Sequence, residues 1–456
     1  MAFTGAGAID RLSGNDLMQL ATDAAGVPAQ VGGVLLLAPG PGGATALEAD
    51  DVLAALERRV RSVPRLRQRL VRAPLGHGRP YWVDDPAFDL RRHVRVARCP
   101  APGGAAELHR IATDLVTTPL PRDRPLWAAV AVDGLAPGGA ALVVVFHHVL
   151  ADGIGGLAVL GALVDPPGPP AGGPPDAVPF PRPAPAPADL LLDALRRRGL
   201  AFRHVGRATR RLRQGVAELR SAPHGAAPRS SLNRPTSRRR AVAVAHAPLA
   251  PLLAAAHAHR AKLNDVVLAG VGGALAELLA ARGEALDTVV VSVPVSARRE
   301  ASTEDLGNAV GAFPVPVPLA GDVWSRLDAV ASITRGRTAP SGASAAVLEP
   351  AFRTLAALHL LHRFVDRQHL VTTFVTNLRG PDTRLAFLGR TITDIAALSV
   401  TEGNVTVGFA VLSYAGTVAV TVMVDPDAIT ATEHALVVTA LERHLAELAG
   451  SHATAA

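Results

Sequence analysis

The sequence predicts an α/β protein built from two layered lobes that a long connector joins. Apolar runs with a helical period alternate with short valine-rich runs in both halves of the chain, which is typical of layered α/β domains. The 456 residues are 49% apolar, so each lobe can bury a large core. Eleven of the 24 residues from Asp165 to Ala188 are proline, which excludes a helix or a central strand there.

Three regions follow from this pattern. We expect an N-terminal lobe over 1–164, a linker with a basic amphipathic helix over 165–224, and a C-terminal lobe over 225–456. The spacing of apolar residues predicts the helices and strands of the lobes, with a hairpin turn at Ala415-Gly416. The predicted elements are helices over Asp51–Arg61 and Leu249–His259, a long helix that opens at Asn264-Asp265, and strands over Gly32–Leu37, Ala140–Phe146, Thr288–Val295, Thr406–Tyr414 and Thr417–Val424.

The segment 189–220 is rich in arginine. Eight arginines and no acidic residue lie between Arg196 and Arg213, while leucines recur near helical spacing. We expect an amphipathic helix with a break near Gly199. It is either a packed crossover helix with a solvated basic face or a helix that docks on an anionic membrane or a lipid droplet.

The net charge of +7 comes almost entirely from arginine, since Lys262 is the only lysine. A basic surplus suits anionic partners such as lipid headgroups or the phosphates of coenzyme A. Aromatic residues make up only 4% of the chain, and no nucleic-acid-binding module is recognisable, so we expect no nucleic-acid partner.

Cysteine usage and hydropathy suggest a cytoplasmic protein. The single cysteine, Cys99, excludes an intramolecular disulfide and a CxxC metal site. The N-terminus lacks the apolar region of a signal peptide. We expect no membrane span either, because Glu277 interrupts the longest apolar run, Val266–Ala281.

The stretch VVVFHHVLADGIGG, residues 143–156, is the strongest chemical signal in the sequence. A buried strand ends in His147 and His148, and Asp152 and Gly153 follow in a turn. A histidine held at the end of a strand can remove a proton from an alcohol or an amine near neutral pH. Asp152 either faces the imidazole or turns away to form a buried ion pair that fixes the loop. Gly153 permits a close backbone approach.

Other common catalytic motifs are absent from the sequence. There is no G-x-S-x-G elbow, no H-E-x-x-H zinc motif, no G-x-G-x-x-G loop and no P-loop. Cys99 has no evident base nearby in the sequence. Histidine base chemistry therefore remains.

HHxxxDG is the active-site motif of the coenzyme A-dependent acyltransferase superfamily, which includes the condensation domains of nonribosomal peptide synthetases. More specifically, the chain resembles the bacterial wax ester synthase/diacylglycerol acyltransferase family over nearly its full length. Motifs typical of that family follow one another in the expected order, namely LSGNDL (12–17), RLRQRL (65–70), YWVDDPAFDLRRHV (81–94), RPLW (124–127), LNDVVLA (263–269), VPVSARR (293–299), LGNAVGAFPVPVP (306–318) and TNLRGP (376–381).

The resemblance implies two chloramphenicol-acetyltransferase-like lobes with an active-site tunnel between them. It makes His148 the general base and His147 its structural neighbour. In related condensation domains the motif aspartate pairs with an arginine, so Asp152 is expected to do the same, with Arg67 as the candidate partner. Alternatively, Arg67 is a charged residue on the protein surface without a role in the site.

Further residues are implied in shaping the substrate channel. Asn264 and Asp265 open the long helix. The resemblance makes Asn264 a polar contact that lines the channel, and the alternative is that it only caps the helix N-terminus. Pro125, Leu126 and Trp127 shape the acyl channel or are plain core packing, and Asn377 is a candidate for substrate contact.

The resemblance implies a cytoplasmic O-acyltransferase, peripheral to the inner membrane or to lipid droplets. It would esterify diacylglycerol or long-chain alcohols with acyl-CoA as co-substrate, and it would need neither a metal nor a bound cofactor. One alternative is an acyltransferase of the same superfamily that modifies a hydroxyl or an amine of a specialised metabolite. Another is a lipid-surface binding protein with a decayed active site.

Overall fold

The computed structural model describes residues 9–23, 27–165, 179–203, 206, 210, 213, 227–296, 306, 310–335, 354–355, 358, 360–399, 401 and 403–450. Within these ranges the chain folds into two α/β lobes, which confirms the predicted fold class. Each lobe is built on a six-stranded sheet, and each sheet has its own buried apolar core.

The N-terminal part of the chain supplies most of the first lobe. Its elements are α1 (Gly14–Thr22), β1 (Gln30–Leu37), α2 (Ala49–Val60), β2 (Gln68–Val71), β3 (Tyr81–Asp84), β4 (Val94–Arg98), α3 (Ala105–Thr117), β5 (Trp127–Leu135), β6 (Gly139–His147), α4 (Gly153–Leu163) and α5 (Pro187–Arg203). Strands β2 and β3 form a separate two-stranded hairpin.

The C-terminal part forms the second lobe. Its elements are β7 (Ala241–Pro248), α6 (Leu249–Ala258), α7 (Leu263–Ala281), β8 (Thr288–Ser296), β9 (Val310–Pro318), α8 (Val323–Arg335), α9 (Leu361–Val365), β10 (Thr373–Arg379), β11 (Ala386–Phe387), β12 (Arg390–Leu398), β13 (Val407–Tyr414), β14 (Thr417–Val424) and α10 (Ala431–Gly450). The sheet of this lobe has the order β7-β14-β13-β10-β8-β9.

Strands β11 and β12 leave the second lobe and join the sheet of the first, whose order is β11-β12-β1-β6-β5-β4. β12 lies antiparallel to β1, with Leu35 opposite Ile395. The predicted lobe boundaries therefore need a correction, because residues 386–398 of the predicted C-terminal region complete the N-terminal sheet. Local patterning cannot reveal this exchange, since a strand sequence does not encode which sheet it joins.

The elements predicted from apolar periodicity are present, with ends within a few residues of the expected positions. The hairpin between β13 and β14 turns at Ala415 and Gly416, whose φ angles are 46° and 89°. Positive φ at both central residues matches the twist that a two-residue hairpin needs.

The predicted break of the basic helix near Gly199 is wrong. α5 continues through Gly199 to Arg203, because one glycine in a helix costs only about 1 kcal/mol. Of the remaining part of the predicted segment, 204–220, only residues 206, 210 and 213 lie within the described ranges.

Helix α7 lies inside the second lobe. By length and composition it could cross a membrane, yet 72% of its apolar window is buried in the protein. Glu277, which interrupts the apolar run, accepts hydrogen bonds from Arg443 (2.6 Å) and from Nε2 of His444 (2.8 Å) on α10. The buried surface and this polar cluster attach α7 to its neighbouring helix.

His109 lies on α3, the helix of the first lobe that packs against β7 of the second. His246 on β7 hydrogen-bonds Asp394 of the crossing strand β12 at 2.8 Å. Burial lowers the pKa of His109 on α3 to about 4, and the charges of His246 and His434 act in the same direction. The contact between the lobes thus holds an imidazole that stays neutral at pH 7.

We expect acid to weaken the folded state through His109. Its pKa in the folded state lies below the ordinary value of 6.5, so the unfolded chain binds the proton more tightly, and stability falls as the pH drops from 6.5 towards 4. Urea titrations between pH 7.5 and 5 should give a shallower loss for His109→Gln than for the wild type. The exposed His257 on α6 provides the control His257→Gln, and equal slopes for all three proteins would contradict the expectation.

Candidate active site

The histidine pair stands at the end of β6, in the middle of the first sheet. β6 pairs with β1 on one side and with β5 on the other, and Val143–Phe146 are at most 2% exposed. The chain turns after His147, and α4 begins at Gly153. A central strand and a helix start therefore hold both ends of the motif.

The ring of His147 is held by hydrogen bonds at both nitrogens. Its Nδ1 accepts the backbone N–H of Val149 (3.1 Å), so its Nε2 carries the hydrogen and donates to Asp23 (3.0 Å). The residue is only 3% exposed. This geometry favours the structural role expected of His147.

Asp23 is a part of the site that the sequence analysis missed. It also accepts the backbone N–H of Ala29 (2.8 Å) and forms an ion pair with Arg122. Burial raises the pKa of Asp23, but the hydrogen bonds from His147 and Ala29 and the charge of Arg122 outweigh it, so the pKa lies below its ordinary value. Asp23 thus stays ionised and fixes the His147 ring.

Asp152 caps the start of α4. It is fully buried, and its Oδ1 accepts the backbone N–H of Gly155 at 2.9 Å as the N-cap of the helix. An aspartate at this position satisfies an amide of the first turn and fixes the loop after His148. The contact with Gly155 fixes the loop, and the buried ion pair expected of Asp152 stays a prediction.

Arg67, the expected partner of Asp152, has contacts with Phe180 and Arg61. Its guanidinium lies 4.0 Å from the ring centre of Phe180, and its Nη2 donates to the carbonyl of Arg61 at 3.2 Å. The pairing of Arg67 with Asp152 stays a prediction.

The arginine buried in this segment is Arg65. It forms an ion pair with Asp10 and lies 4.3 Å from the ring centre of Trp82. Burial lowers the pKa of Arg65, which the charges of Asp10 and Asp16 oppose. The RLRQRL segment therefore anchors the first lobe through its first arginine.

His148 lines a pocket of about 610 Å³, including the space open to solvent, at the boundary between the lobes. Its backbone N–H donates to the carbonyl of Ala29 (2.8 Å), and its side chain is half-buried. The walls come from β1, β6 and α4 of the first lobe, from β10 and β13 of the second, and from the crossing strand β12. The lining residues are Val31, Gly32, Gly33, Phe146, His148, Gly153, Gly156, Leu157, Leu160, Thr376, Leu378, Ile395, Ala397, Leu398, Ser399, Ala410, Val411 and Leu412.

Gly153 brings the motif into contact with the second lobe. A Cβ atom on Gly153 would stand 2.8 Å from Cδ2 of Leu378 on β10, closer than carbon atoms approach one another. The glycine therefore lets Leu378 close one side of the pocket.

The two asparagines expected in the channel lie together in the second lobe. Nδ2 of Asn377 is 3.4 Å from Oδ1 of Asn264. Thr376 and Leu378 line the pocket, so strand alternation directs Asn377 to the opposite face of the sheet, towards α7. Substrate contact by Asn264 and Asn377 stays a prediction that this pairing does not favour.

Asp265 stabilises the start of α7. The residue is 2% exposed, and its carboxylate accepts the backbone N–H of Lys262 at 2.8 Å. Lys262 is the N-cap residue, so Asn264 is not at the capping position considered from the sequence.

The three residues Pro125, Leu126 and Trp127 are buried beside the histidine strand. The carbonyl of Leu126 accepts the backbone N–H of His147 (2.9 Å), and Nε1 of Trp127 donates to the carbonyl of Leu66 (2.8 Å). The Trp127 ring stacks on His93 with 4.8 Å between ring centres. These contacts favour core packing over a wall of the channel.

Comparison with models of known protein families shows to which family the chain belongs. A family model for the wax ester synthase/diacylglycerol acyltransferase catalytic domain matches residues 12–267, and the model for the C-terminal domain of the same family matches residues 306–449. The chain belongs to the wax ester synthase/diacylglycerol acyltransferase family.

Relatives of this acyltransferase occur in mycobacteria. A putative diacylglycerol O-acyltransferase of Mycobacterium bovis and a probable diacylglycerol O-acyltransferase, tgs1, of Mycobacterium tuberculosis are each 29% identical over 416 residues, which cover 87% of both chains. The family models and these relatives identify the chain as an O-acyltransferase.

Solved structures share the fold of this acyltransferase. The wax ester synthase/diacylglycerol acyltransferase from Marinobacter aquaeolei VT8 superposes with a TM-score of 0.68 at 22% identity, over 96% of this chain and 98% of that one. The first condensation domain of the CDA synthetase superposes with a TM-score of 0.61 at 20% identity, over 98% and 97%. The two-lobed architecture is thus common to both groups.

The pocket of this acyltransferase presents one imidazole in a largely apolar environment. His148, Thr376 and Ser399 supply the polar side chains of the lining, and most of the others are aliphatic. Within the described ranges, no cluster of three His, Cys, Asp or Glu residues is suited to hold a metal ion.

Proposed function

We propose that the chain transfers a fatty acyl group from acyl-CoA to the hydroxyl of diacylglycerol or of a long-chain alcohol, with His148 as general base. The observation that carries this proposal is the position of His148 in a largely aliphatic pocket whose walls come from both lobes. Acyltransferases of this family need a base at the point where donor and acceptor meet, and His148 is the titratable side chain in the lining.

In the reaction, the imidazole of His148 removes the proton of the acceptor hydroxyl while its oxygen attacks the thioester carbon. The tetrahedral intermediate collapses, its carbon–sulfur bond breaks, and His148 returns the proton to the leaving thiolate of coenzyme A. The ester and free coenzyme A are the products, and no covalent acyl-enzyme is needed. Holding both reactants in one pocket supplies most of the entropic advantage.

The surrounding contacts give His148 a fixed position. Its backbone is bonded to Ala29, the His147 ring beside it is locked by Asp23, and the Asp152 cap holds the turn that follows. The hydroxyls of Thr376 and Ser399 are candidates to hydrogen-bond the polar atoms of the two substrates.

The aliphatic lining favours a lipid acceptor over a small polar one. Several mycobacterial relatives carry the name diacylglycerol O-acyltransferase, which supports diacylglycerol as the first candidate. A cytoplasmic location is part of this proposal, and the buried free thiol of Cys99 is compatible with a reducing compartment.

The acceptor can be tested with the purified full-length chain and radiolabelled palmitoyl-CoA. We expect labelled triacylglycerol with dioleoylglycerol, or a labelled wax ester with hexadecanol, and at least about tenfold less product with small polar alcohols and amines, because these cannot fill an apolar pocket. Product with the polar acceptors alone would instead support a role in specialised metabolism. Acyl transfer to no acceptor would support the lipid-binding alternative.

A further inference from the structure

Helix α5 exposes an unusual number of leucines. Leu191, Leu192, Leu195 and Leu200 keep 40%, 41%, 52% and 52% of their surface in contact with solvent. Leucine is normally among the most buried residues, and several on one short helix form an apolar patch that calls for a partner.

The opposite side of α5 attaches the helix to the first lobe. Leu190 and Ala194 are 2% and 4% exposed, and Leu190 packs with Tyr81 and Val83 of β3. Asp193 on the same side forms an ion pair with Arg11 at 2.6 Å. This fixed attachment means that the exposed leucines point away from the protein.

Three of the four exposed leucines share one face of the helix. At 3.6 residues per turn, Leu191, Leu192 and Leu195 fall within an arc of about 100° opposite Leu190 and Ala194. Arg196 and Arg198, both exposed, lie on the two edges of this arc. An outward apolar stripe with a basic residue on each edge is the pattern of a helix that lies in a lipid–water interface.

A second element extends the same surface. The loop between β2 and β3 carries Leu75, which is fully exposed at 101%. Nη2 of Arg198 donates to the carbonyl of Gly76 at 3.3 Å, and Gly78 lies close to the Cβ of Ala194, so the loop tip stands beside α5. We call Leu75, Leu191, Leu192 and Leu195 the leucine face.

We propose that the leucine face, with Arg196 and Arg198 at its edges, docks the enzyme on the surface of an anionic phospholipid bilayer. The leucines enter the boundary between headgroups and acyl chains, and the arginines pair with lipid phosphates. Charge complementarity favours the anionic bilayer over a neutral surface, which would not require arginines on both edges of the stripe. This docking surface does not depend on the acyl acceptor, so it goes beyond the proposed function.

Flotation of the full-length chain with vesicles tests the docking surface. We expect binding to phosphatidylcholine vesicles that contain about a third phosphatidylglycerol, little binding to pure phosphatidylcholine, and weaker binding as salt is raised. The triple variant Leu75→Gln, Leu191→Gln, Leu195→Gln should lose at least about tenfold in apparent affinity, because each leucine loses its apolar burial in the lipid. The variant Arg196→Gln, Arg198→Gln should lose most of the preference for the anionic vesicles.

Leu370, which is 61% exposed in the second lobe, provides the matched control Leu370→Gln. The control should float like the wild type, and thermal melting should show that every variant is folded. Three results would overturn the proposal: wild-type binding by the triple variant, equal losses in the triple variant and the control, or binding to phosphatidylcholine-coated triolein droplets without binding to anionic vesicles.

Discussion

His148→Ala is expected to lower kcat for acyl transfer from palmitoyl-CoA by at least about a hundredfold, because general base catalysis contributes roughly 10²–10⁴ in rate. The KM for palmitoyl-CoA should change little, since the imidazole acts on the acceptor proton and the bulk of the donor contacts other groups. Steady-state assays with dioleoylglycerol as acceptor would measure both parameters.

The matched control for this variant is His257→Ala, which removes an exposed imidazole from α6 in the other lobe. Its kcat should equal that of the wild type. A wild-type kcat in His148→Ala with normal melting would remove His148 from the chemistry, whereas a rise in KM alone would assign it to binding.

Gly156→Ala is expected to destabilise the first lobe by about 1–3 kcal/mol, because it overpacks a filled core. The new Cβ would stand 2.4 Å from Cζ of Phe146, a ring that is 2% exposed and precedes the histidine pair. Either α4 or the Phe146 ring must move, and both line the pocket. We therefore also expect a lower kcat. Urea unfolding would measure the loss of stability, and acyl-transfer assays would measure kcat.

Gly161 offers a control on the same helix. A Cβ there meets nothing within 4 Å, so Gly161→Ala should be neutral or stabilise α4 by about 0.5–1 kcal/mol. The second substitution Phe146→Leu should restore part of the loss in Gly156→Ala by removing the ring atoms that clash. Equal stability of Gly156→Ala and Gly161→Ala would contradict the close packing of α4 on β6.

Much of the site follows from local sequence signals. The run Val143–Phe146 requires a buried strand, the histidines stand where that strand ends, and Asp152 before Gly153 is a strong start for a helix. Those signals give the strand, the turn and the helix, and they put His148 at the exposed end of a buried element.

The contacts that complete the site join distant parts of the chain. Asp23 meets His147 across 124 positions, and its own surroundings carry no motif that marks it as a partner. Thr376 and Leu378 reach the pocket only because the two sheets face each other there. The alternation of side chains along β10 puts Thr376 and Leu378 on one face of the sheet and Asn377 on the other. It does not say which of the two faces lines the pocket.

The passage of β12 from the second lobe into the first sheet could not be predicted from the sequence either. Its residues have the composition of any half-buried strand, and its pairing with β1 depends on the free edge that the first sheet offers. This strand contributes Ile395, Ala397 and Leu398 to the pocket, so the candidate site owes part of its lining to the exchange.

A crystal structure of the chain with a non-transferable thioether analogue of palmitoyl-CoA tests the central claim most directly. The account predicts that the acyl chain lies among the aliphatic residues of the pocket between the lobes. The carbon that corresponds to the thioester carbonyl should lie within about 5 Å of the His148 ring, which leaves room for an acceptor oxygen at hydrogen-bond distance. An analogue bound with this carbon more than about 10 Å from His148, beyond any direct proton transfer, would contradict it.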